Sequence, residues 1–536
     1  MNDFLKDENG QPMFLLGLQS HNSSTGTDMI QKTIQAIKQY GGNLLEAPVY
    51  WNVIEREKDC YDMKLVKDLI DETRDAGLKL IILWFATSKN GHPNYVPEYI
   101  KLQPEIYRLA IGANTAPVAS LSPHCMDTLE RDQLAFEKLM IFLKEYDERE
   151  RTVIAVQIEN EMGYESTDRD YSKLAQADYV KSVPEEIRKV KLIDTGIEEI
   201  IDDKLDSSTW RGCFGRHAHE AFSSWYHARY IERIAEMGKK QYNLPMIINV
   251  MLGEQGYEET GRCYQGGAAV GRMLDIWKIG APSIDLICPD IYESVRSKYE
   301  RICSRYSRLD NALFIPESPI AGEANAINSL LAVADYEAIG ICCFGAESAL
   351  NNDGTLTEET RTMAVTMKAI GALAPLLITY RKTGAVHALV QEEFAREQYL
   401  KLEQYHVIAH FINKNKAQRY GSRMNLSVAE NQFHLNERGR GLLIQTGENE
   451  FYLSGAGLAV DFIHRPDPLN DNPYPQISSR QAGQLNFLSV EEGHFEGDKW
   501  ITDYLRNGDE ANYSVYVHGG QAVRIRLNPN LGMDLW

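Results

Sequence analysis

The sequence predicts an α/β chain in which a (β/α)8 TIM barrel is followed by an antiparallel β-domain. Three observations carry that prediction. Eight short apolar runs alternate with helical patterns between Phe14 and Leu376, the alternation of a closed parallel sheet wrapped in helices. No glycine-rich phosphate loop follows the first run, as an open doubly wound sheet would usually show, and Gly253-Glu254-Gln255-Gly256 is not one. Past about Lys382 the helical patterns give way to short alternating runs separated by turn residues. The expected division is 1–380 for the barrel and 381–536 for a β-sandwich-like domain.

Taken in order, Phe14 to Leu18 is the first strand, followed by the polar turn Gln19 to Ser24 and an amphipathic helix over Thr27–Tyr40 that Gly41-Gly42 ends. The second strand is Asn43 to Val49, and a helix over Met63–Ala76 closes at Gly77. Leu78 to Phe85 is the third, emptying into a long polar loop that reaches Leu121. A helix over Thr128–Tyr146 returns the chain to the fourth strand, in Thr152 to Gly163 (TVIAVQIENEMG). A charged insertion, 164–215, carries Trp210 and precedes a helix over Glu220–Tyr242. Strands five to eight are Leu244–Val250, Ile284–Tyr292, Leu313–Glu317 and Ile339–Glu347, with helices over Val270–Lys278, Ser294–Tyr306, Ala324–Ala334 and Thr357–Leu376. The second domain shows Val407–Phe411, Gly441–Gln445, Glu450–Leu453 and Val515–Val517 as strands, with a turn at 470–473.

Composition narrows the function classes. The chain has 536 residues, 43% hydrophobic and 25% charged, ordinary for a globular protein. A net charge of -20 argues against nucleic acid and against an anionic membrane as partners. The acidic N-terminus does not read as a secretory signal, and no apolar run is long enough to span a bilayer. The eight cysteines form no C-x-x-C pair, which fits reduced thiols and a cytoplasmic setting. His217 and His219 read as loop histidines, and neither a metal nor any other cofactor is implied.

A barrel gathers its functional groups at the C-terminal strand ends. Those ends here are Asn22; Glu46 and Trp51; Trp84 and Asn90; Asn160 and Glu161; Asn249; Asp290 and Tyr292; Glu317; and Glu347. Amides and carboxylates can exchange hydrogen bonds with hydroxyls, while aromatic faces stack on pyranose C–H bonds, so the set suits a sugar. The fourth strand is a buried-type run, Val153-Ile154-Ala155-Val156, that breaks into Gln157, Glu159, Asn160 and Glu161, and the seventh ends likewise in Glu317. Two carboxyls facing each other across such a mouth are the machinery of glycoside hydrolysis, one as proton donor and one as nucleophile. Spacing alone does not choose between Glu159 and Glu161.

These residues resemble the clan A glycoside hydrolases. Val156 to Gly163 (VQIENEMG) is similar to the VQxENExG segment of glycoside hydrolase family 35, the β-galactosidases. Ala47-Pro48-Val49-Tyr50-Trp51, Pro289-Asp290-Ile291-Tyr292, Phe314-Ile315-Pro316-Glu317, Gly439 to Leu453 and the turn at 507–510 are similar to a bacterial branch with a C-terminal β-domain. The resemblance implies Glu161 as acid/base and Glu317 as nucleophile, Asn160 on the sugar 2-hydroxyl and Tyr292 beside the nucleophile. It implies a retaining exo-β-galactosidase acting on oligosaccharides or other glycosides. A β-glucoside, fucoside or arabinoside specificity, or an inactive carbohydrate-binding protein, is the alternative. Where most family members carry Ile-Cys-Ala-Glu-Trp after strand three, this chain has Leu83 to Asn90. Glu46, Asn90 or both are therefore expected to meet the 4-hydroxyl, with Trp51, Trp84, Asn22 and Glu347 completing the substrate contacts. The loop after strand three and the insertion bearing Trp210 are the expected pocket walls. Oligomeric state, including a homo-oligomer, is open.

Overall fold

The computed structural model describes residues 5–24, 26–192, 206–252, 259–392, 395–411, 438–464, 486–508, 511 and 514–532. Its first ten strands are β1 (Leu15–Gln19), β2 (Leu44–Tyr50), β3 (Lys79–Lys89), β4 (Leu109–Ile111), β5 (Pro117–Leu121), β6 (Val153–Asn160), β7 (Met246–Met251), β8 (Leu286–Asp290), β9 (Phe314–Ile315) and β10 (Gly340–Phe344). All but the β4–β5 hairpin join one parallel sheet in the order β8-β7-β6-β3-β2-β1-β10-β9, with β10 lying beside β1. Consecutive strands are neighbours with helices between them, which is the TIM barrel.

The seam between β8 and β9 is closed by side chains as much as by backbone. The seventh strand is only two residues long because Pro316 has no N–H to continue the ladder. The buried Asn311 takes over: Oδ1 accepts from the Ile287 N–H (2.9 Å), while Nδ2 donates to the carbonyls of Ile287 (3.0 Å) and Tyr306 (2.9 Å). At the mouth, the Ile291 N–H donates to the Glu317 carbonyl at 2.9 Å.

Strand alternation sorts the side chains into two layers. Leu15, Leu44, Ile81, Leu83, Phe85, Ile247, Leu286, Cys288 and Cys342 fill the barrel interior. Leu16, Leu45, Ile82, Trp84, Val156 and Ile248 face outward into a second core shared with the helices. β3 runs four residues past the expected end, and the loop beyond it carries a short helix, Glu98–Lys101, and the β4–β5 hairpin. The helix expected over Thr357–Leu376 is two, Glu358–Ala372 and Ala374–Tyr380, bent by 61° where Pro375 starts the second. Among the described residues no single helix is long and apolar enough to cross a membrane. All eight cysteines are free thiols.

The remaining strands are β11 (Val386–Val390), β12 (Glu397–Lys401), β13 (Tyr405–Phe411), β14 (Arg440–Gly447), β15 (Glu450–Ala456), β16 (Leu458–His464), β17 (Phe487–Glu496), β18 (Lys499–Leu505), β19 (Val515–Val517) and β20 (Ala522–Leu527). They form two antiparallel sheets, β11-β14-β15-β20-β17-β18 and β12-β13-β16-β19. Leu389, Val407, Leu453, Val460, Val517 and Ile525 pack in a core between them. The other face of the larger sheet lies on barrel helices: Ala388, Leu442, Ile444 and Tyr452 join the outer barrel core. There the buried Arg440 donates to Thr366 Oγ1 (2.8 Å) and the Thr362 carbonyl (3.0 Å). The turn expected at 470–473 lies outside the described residues, as do residues 509 and 510 of the other.

The seam makes a specific demand on Asn311. Asn311→Ala strips two carbonyls and one N–H of their buried partner and should lower unfolding free energy by about 3 kcal/mol. Urea denaturation of the variant against the parent measures it.

Candidate active site

The mouth of the barrel is built by the last inward-facing residue of each strand. Gln19 ends β1 and Asn249 stands two residues before the last residue of β7; Asp290 ends β8, and Glu317 follows β9 two residues after its last ladder position. All four are buried. Four donors converge on Glu317: Gln19 Nε2 (2.8 Å), Asn160 Nδ2 (3.3 Å) and Asn249 Nδ2 (3.4 Å) reach Oε1, and the Tyr292 hydroxyl (2.9 Å) reaches Oε2. Donors alone suit a carboxylate anion. Burial, followed by the charge of Glu317, holds the Tyr292 hydroxyl protonated far above its ordinary range, so it stays a donor. Tyr292 is 42% exposed and Glu317 is 5% exposed, so this tyrosine marks the open side of the site.

The two amides have fixed orientations. Lys89 Nζ can only donate and meets Asn160 Oδ1 at 2.6 Å, which turns Asn160 Nδ2 toward Glu317. The Glu161 backbone N–H meets Asn249 Oδ1 at 2.9 Å, which turns Asn249 Nδ2 toward Asp290 Oδ2 (2.8 Å) and Glu317. Lys89 is itself buried, its ammonium 5.4 Å from the centre of the Phe85 ring.

Glu161 is brought in by a break in the strand. Gln157 pairs with Leu83 and faces inward, so regular alternation would place Glu159 inward and Asn160 outward. Instead Glu159 (φ 60°) and Glu161 (φ 46°) both adopt the left-handed region, a cost of about 1–2 kcal/mol each for residues with a Cβ. The effect is to turn Glu159 out of the barrel and to bring Asn160 and Glu161 into it together. Carboxyl oxygens of Glu161, Asp290 and Glu317 lie within 4.8 Å of one another. Burial first, then the charge of Glu317, pushes Glu161 up to about 7, with Lys89 and a hydrogen bond to Asp290 pulling the other way.

Glu159, left open by spacing, is used elsewhere. Its oxygens accept from the backbone N–H groups of Ala86 (3.3 Å), Thr87 (3.0 Å) and Ser88 (2.7 Å) and from Thr87 Oγ1 (2.8 Å). Behind it Asp132 accepts from Trp84 Nε1 (3.0 Å) and the Tyr230 hydroxyl (2.9 Å). Burial lifts both acids, Asp132 to about 6, and the charge of Asp132 adds to the rise of Glu159. Glu159 therefore anchors the end of β3 and faces away from the mouth.

Several expected substrate contacts are corrected by burial. Trp51 and Trp84 are wholly buried in the outer core, their indole N–H groups held by Glu55 (2.7 Å) and Asp132, so neither offers a face to a sugar. The inward rings at those strand ends are their neighbours, Tyr50 and Phe85. Trp210, an expected wall, is likewise core, packed on Phe214 and Phe222. Glu46 faces inward but is 0% exposed beside Cys342, and burial followed by the Glu317 charge keeps it neutral, well above the carboxylate range. It lies beneath the mouth and cannot meet a 4-hydroxyl. Glu347 is occupied as a clamp on the β1 loop, accepting from the His21 N–H (2.9 Å) and from Ser24 Oγ. Asn22 lends its carbonyl to the Tyr95 hydroxyl at 3.1 Å. Asn90 is exposed in a left-handed turn, its N–H on the Asn160 carbonyl (3.2 Å), and so stands at the rim. Gln19 and Lys89 were not among the expected site residues, and Asn249 and Asp290 were noted only as strand ends. Inward parity at a strand end singles out Gln19, Asn249 and Asp290.

Outside this cluster, a cavity of about 620 Å³ is lined by Asp168, Tyr171, His217, His219 and Glu220 among others. Each histidine faces a carboxyl group there, His219 that of Asp168 (2.7 Å) and His217 that of Glu220 (3.4 Å).

Comparison with known proteins bears on the fold and on the barrel's first half. A glycoside hydrolase family 42 model, described as β-galactosidase, matches residues 22–196. A domain of unknown function, DUF5597, matches residues 367–518. The barrel family matched is thus 42, a β-galactosidase family other than family 35. No curated protein sequence matches the chain. Among solved structures, a β-galactosidase from Bacillus circulans sp. alkalophilus superposes with a TM-score of 0.50 at 14% identity, covering 70% of this chain and 58% of that one. A β-galactosidase from Rahnella sp. R3 gives 0.49 at 16%, covering 70% and 58%, and the catalytic domain of a β-amylase from Paenibacillus polymyxa gives 0.49 at 12%, covering 67% and 98%. The chain therefore spans 58% of the length of either β-galactosidase. At these identities the likeness is one of fold.

The anchoring role of Glu159 has a measurable consequence. Glu159→Gln replaces one acceptor oxygen with a donor facing backbone N–H groups, and should cost about 2 kcal/mol of stability. Denaturant unfolding of the purified variant checks it.

Proposed function

We propose that this protein is a retaining β-glycosidase of the β-galactosidase type, with Glu161 as acid/base and Glu317 as nucleophile. The observation that supports the reading best is the Glu161–Glu317 pair: carboxyl oxygens within 4.8 Å across a barrel mouth, one acid raised to about 7 and the other surrounded by donors. Carboxyl groups this close suit direct attack on the anomeric carbon and leave no room for a water between the second carboxylate and the sugar, as inversion would need.

In the first half-reaction Glu317 forms a bond to the anomeric carbon as the bond to the departing oxygen breaks, and Glu161 gives that oxygen its proton. In the second, Glu161 takes a proton from water, which displaces Glu317 and leaves a product of unchanged configuration. Tyr292 and Gln19 hold the two oxygens of Glu317, so its attacking lone pair is oriented before substrate arrives. Asn160 Nδ2, already turned into the mouth by Lys89, is the group in place to meet the sugar 2-hydroxyl. Terminal β-galactose is the sugar favoured by the family 42 match and by the resemblance of VQIENEMG, and short oligosaccharides are the substrates that a cytoplasmic setting would supply. Asn90 is the remaining polar candidate of the β3 loop for the 4-hydroxyl.

A panel of aryl β-glycosides tests the sugar, with the β-galactoside expected to be turned over fastest. Because Glu161 must be protonated to act and is held up to about 7, kcat/KM should fall as pH rises through about 7, reporting the free enzyme. With a dinitrophenyl substrate, which needs little protonation, Glu161→Ala should keep partial turnover that azide raises, giving the β-glycosyl azide; Glu317→Ala should give the α-azide. Identical rescue products from the two variants would contradict the assignment.

A further inference from the structure

The double displacement leaves one buried acid of the mouth without a task. Asp290 is 1% exposed, and its Oδ2 accepts from the same Asn249 amide that receives the Glu161 N–H. Its Oδ1 has no donor among the described residues, and the same holds for Glu161 Oε2. Carboxyl oxygens of the two side chains lie within 4.8 Å of each other and of Glu317. A carboxyl–carboxyl contact of this kind needs a proton, since two charges there would repel in a buried site.

We infer that Asp290 is the second seat of the catalytic proton: Glu161 and Asp290 hold one proton between them, and Asp290 keeps it available to Glu161 at neutral pH. The inference rests on the glycosidase reading for its purpose, but the proton itself does not depend on that reading. The groups facing the pair are Glu317 beyond β9, Glu165 on the loop after β6, Lys89 at the end of β3, Tyr292 after β8 and Cys288 below. Burial and Glu317 favour retaining the proton, and Lys89 opposes them.

The charge count explains why a shared proton helps. Before reaction Glu317 carries one negative charge and the proton-sharing pair another. When Glu317 bonds to the anomeric carbon its charge is consumed, and at the same moment the pair gives its proton to the departing oxygen and becomes doubly negative. The total stays at two negative charges, so the second charge on the pair forms when its strongest repeller has been neutralised. In the return step water restores the proton to the pair as Glu317 is released. Asp290 is thus a positioning residue for the proton and need not touch the sugar.

Asp290→Asn tests this. An amide donor beside Glu161 favours its charged form, so the basic limb of kcat/KM should move down by about one pH unit. At pH 7 a phenyl glycoside should lose about fivefold, against about twofold or less for a dinitrophenyl glycoside that needs no proton. A merely structural role would lower both alike and leave the limb in place, and that result would overturn the inference. A second readout needs no turnover. An acid whose folded value is raised contributes stability at low pH that is lost as pH rises through its folded value, here about 7 for Glu161. The parent should lose stability between pH 5 and 8, and both Asp290→Asn and Glu161→Gln should flatten that loss. Equal slopes in parent and variants would overturn the shared proton. A parent that hydrolyses no aryl glycoside, yet shows the flattened slopes in its variants, would remove the glycosidase reading and leave the proton pair standing.

Discussion

Three carboxyl groups buried within 4.8 Å of one another cannot all be charged, and most of the mouth follows from that constraint. One of them, Glu317, is surrounded by donors and has the surroundings of an anion. The other two are left with a single amide donor between them and face each other, which favours keeping a proton. The buried ammonium of Lys89 offsets part of the remaining charge while turning Asn160 so that its N–H groups, not its oxygen, face Glu317. Asn249 contacts all three acids, the backbone N–H of one and the carboxyl groups of the other two.

The same device recurs on the outside of the barrel wall. Glu159 and Asp132 form a second linked acid pair, but there the donors are the backbone N–H groups of Ala86 to Ser88 and the side chains of Trp84 and Tyr230. Two left-handed residues flanking Asn160 separate the pairs, turning one glutamate outward to hold β3 and the next inward to the mouth. The backbone strain of those two residues is offset by the hydrogen bonds that each conformation makes possible. Three residues of sequence thus supply both a carboxyl of the mouth and the anchor of the loop beside it.

Much of this was legible in the sequence. The eight barrel strands followed from periodicity, as did four strands of the second domain, β13, β14, β15 and β19, whereas β11, β12, β16, β17, β18 and β20 did not. Alternation could also have been read: Tyr50 and Phe85 are inward and Trp51 and Trp84 outward simply because side chains change face at each residue. At these strand ends parity, not ring size, decides which aromatic meets the mouth, and the same parity marks Gln19 as inward. Glu159 and Glu161 could not be separated that way, since both have the parity of Gln157 and only a local reversal of the strand tells them apart. Glu46 shows the opposite limit. Its parity is right, but its depth is not legible from sequence, and a carboxyl one layer too deep is sealed beneath the mouth.

Glu317 is proposed to be the carboxylate that bonds to the anomeric carbon. A 2-deoxy-2-fluoro-β-galactosyl donor with an activated leaving group slows the second half-reaction and should leave the sugar attached to the enzyme. Mass spectrometry of the digested protein should then find one added fluorosugar on the peptide containing Phe314-Ile315-Pro316-Glu317, at Glu317. A label on Glu161 or Asp290, or no covalent adduct together with a product of inverted configuration, would contradict the account.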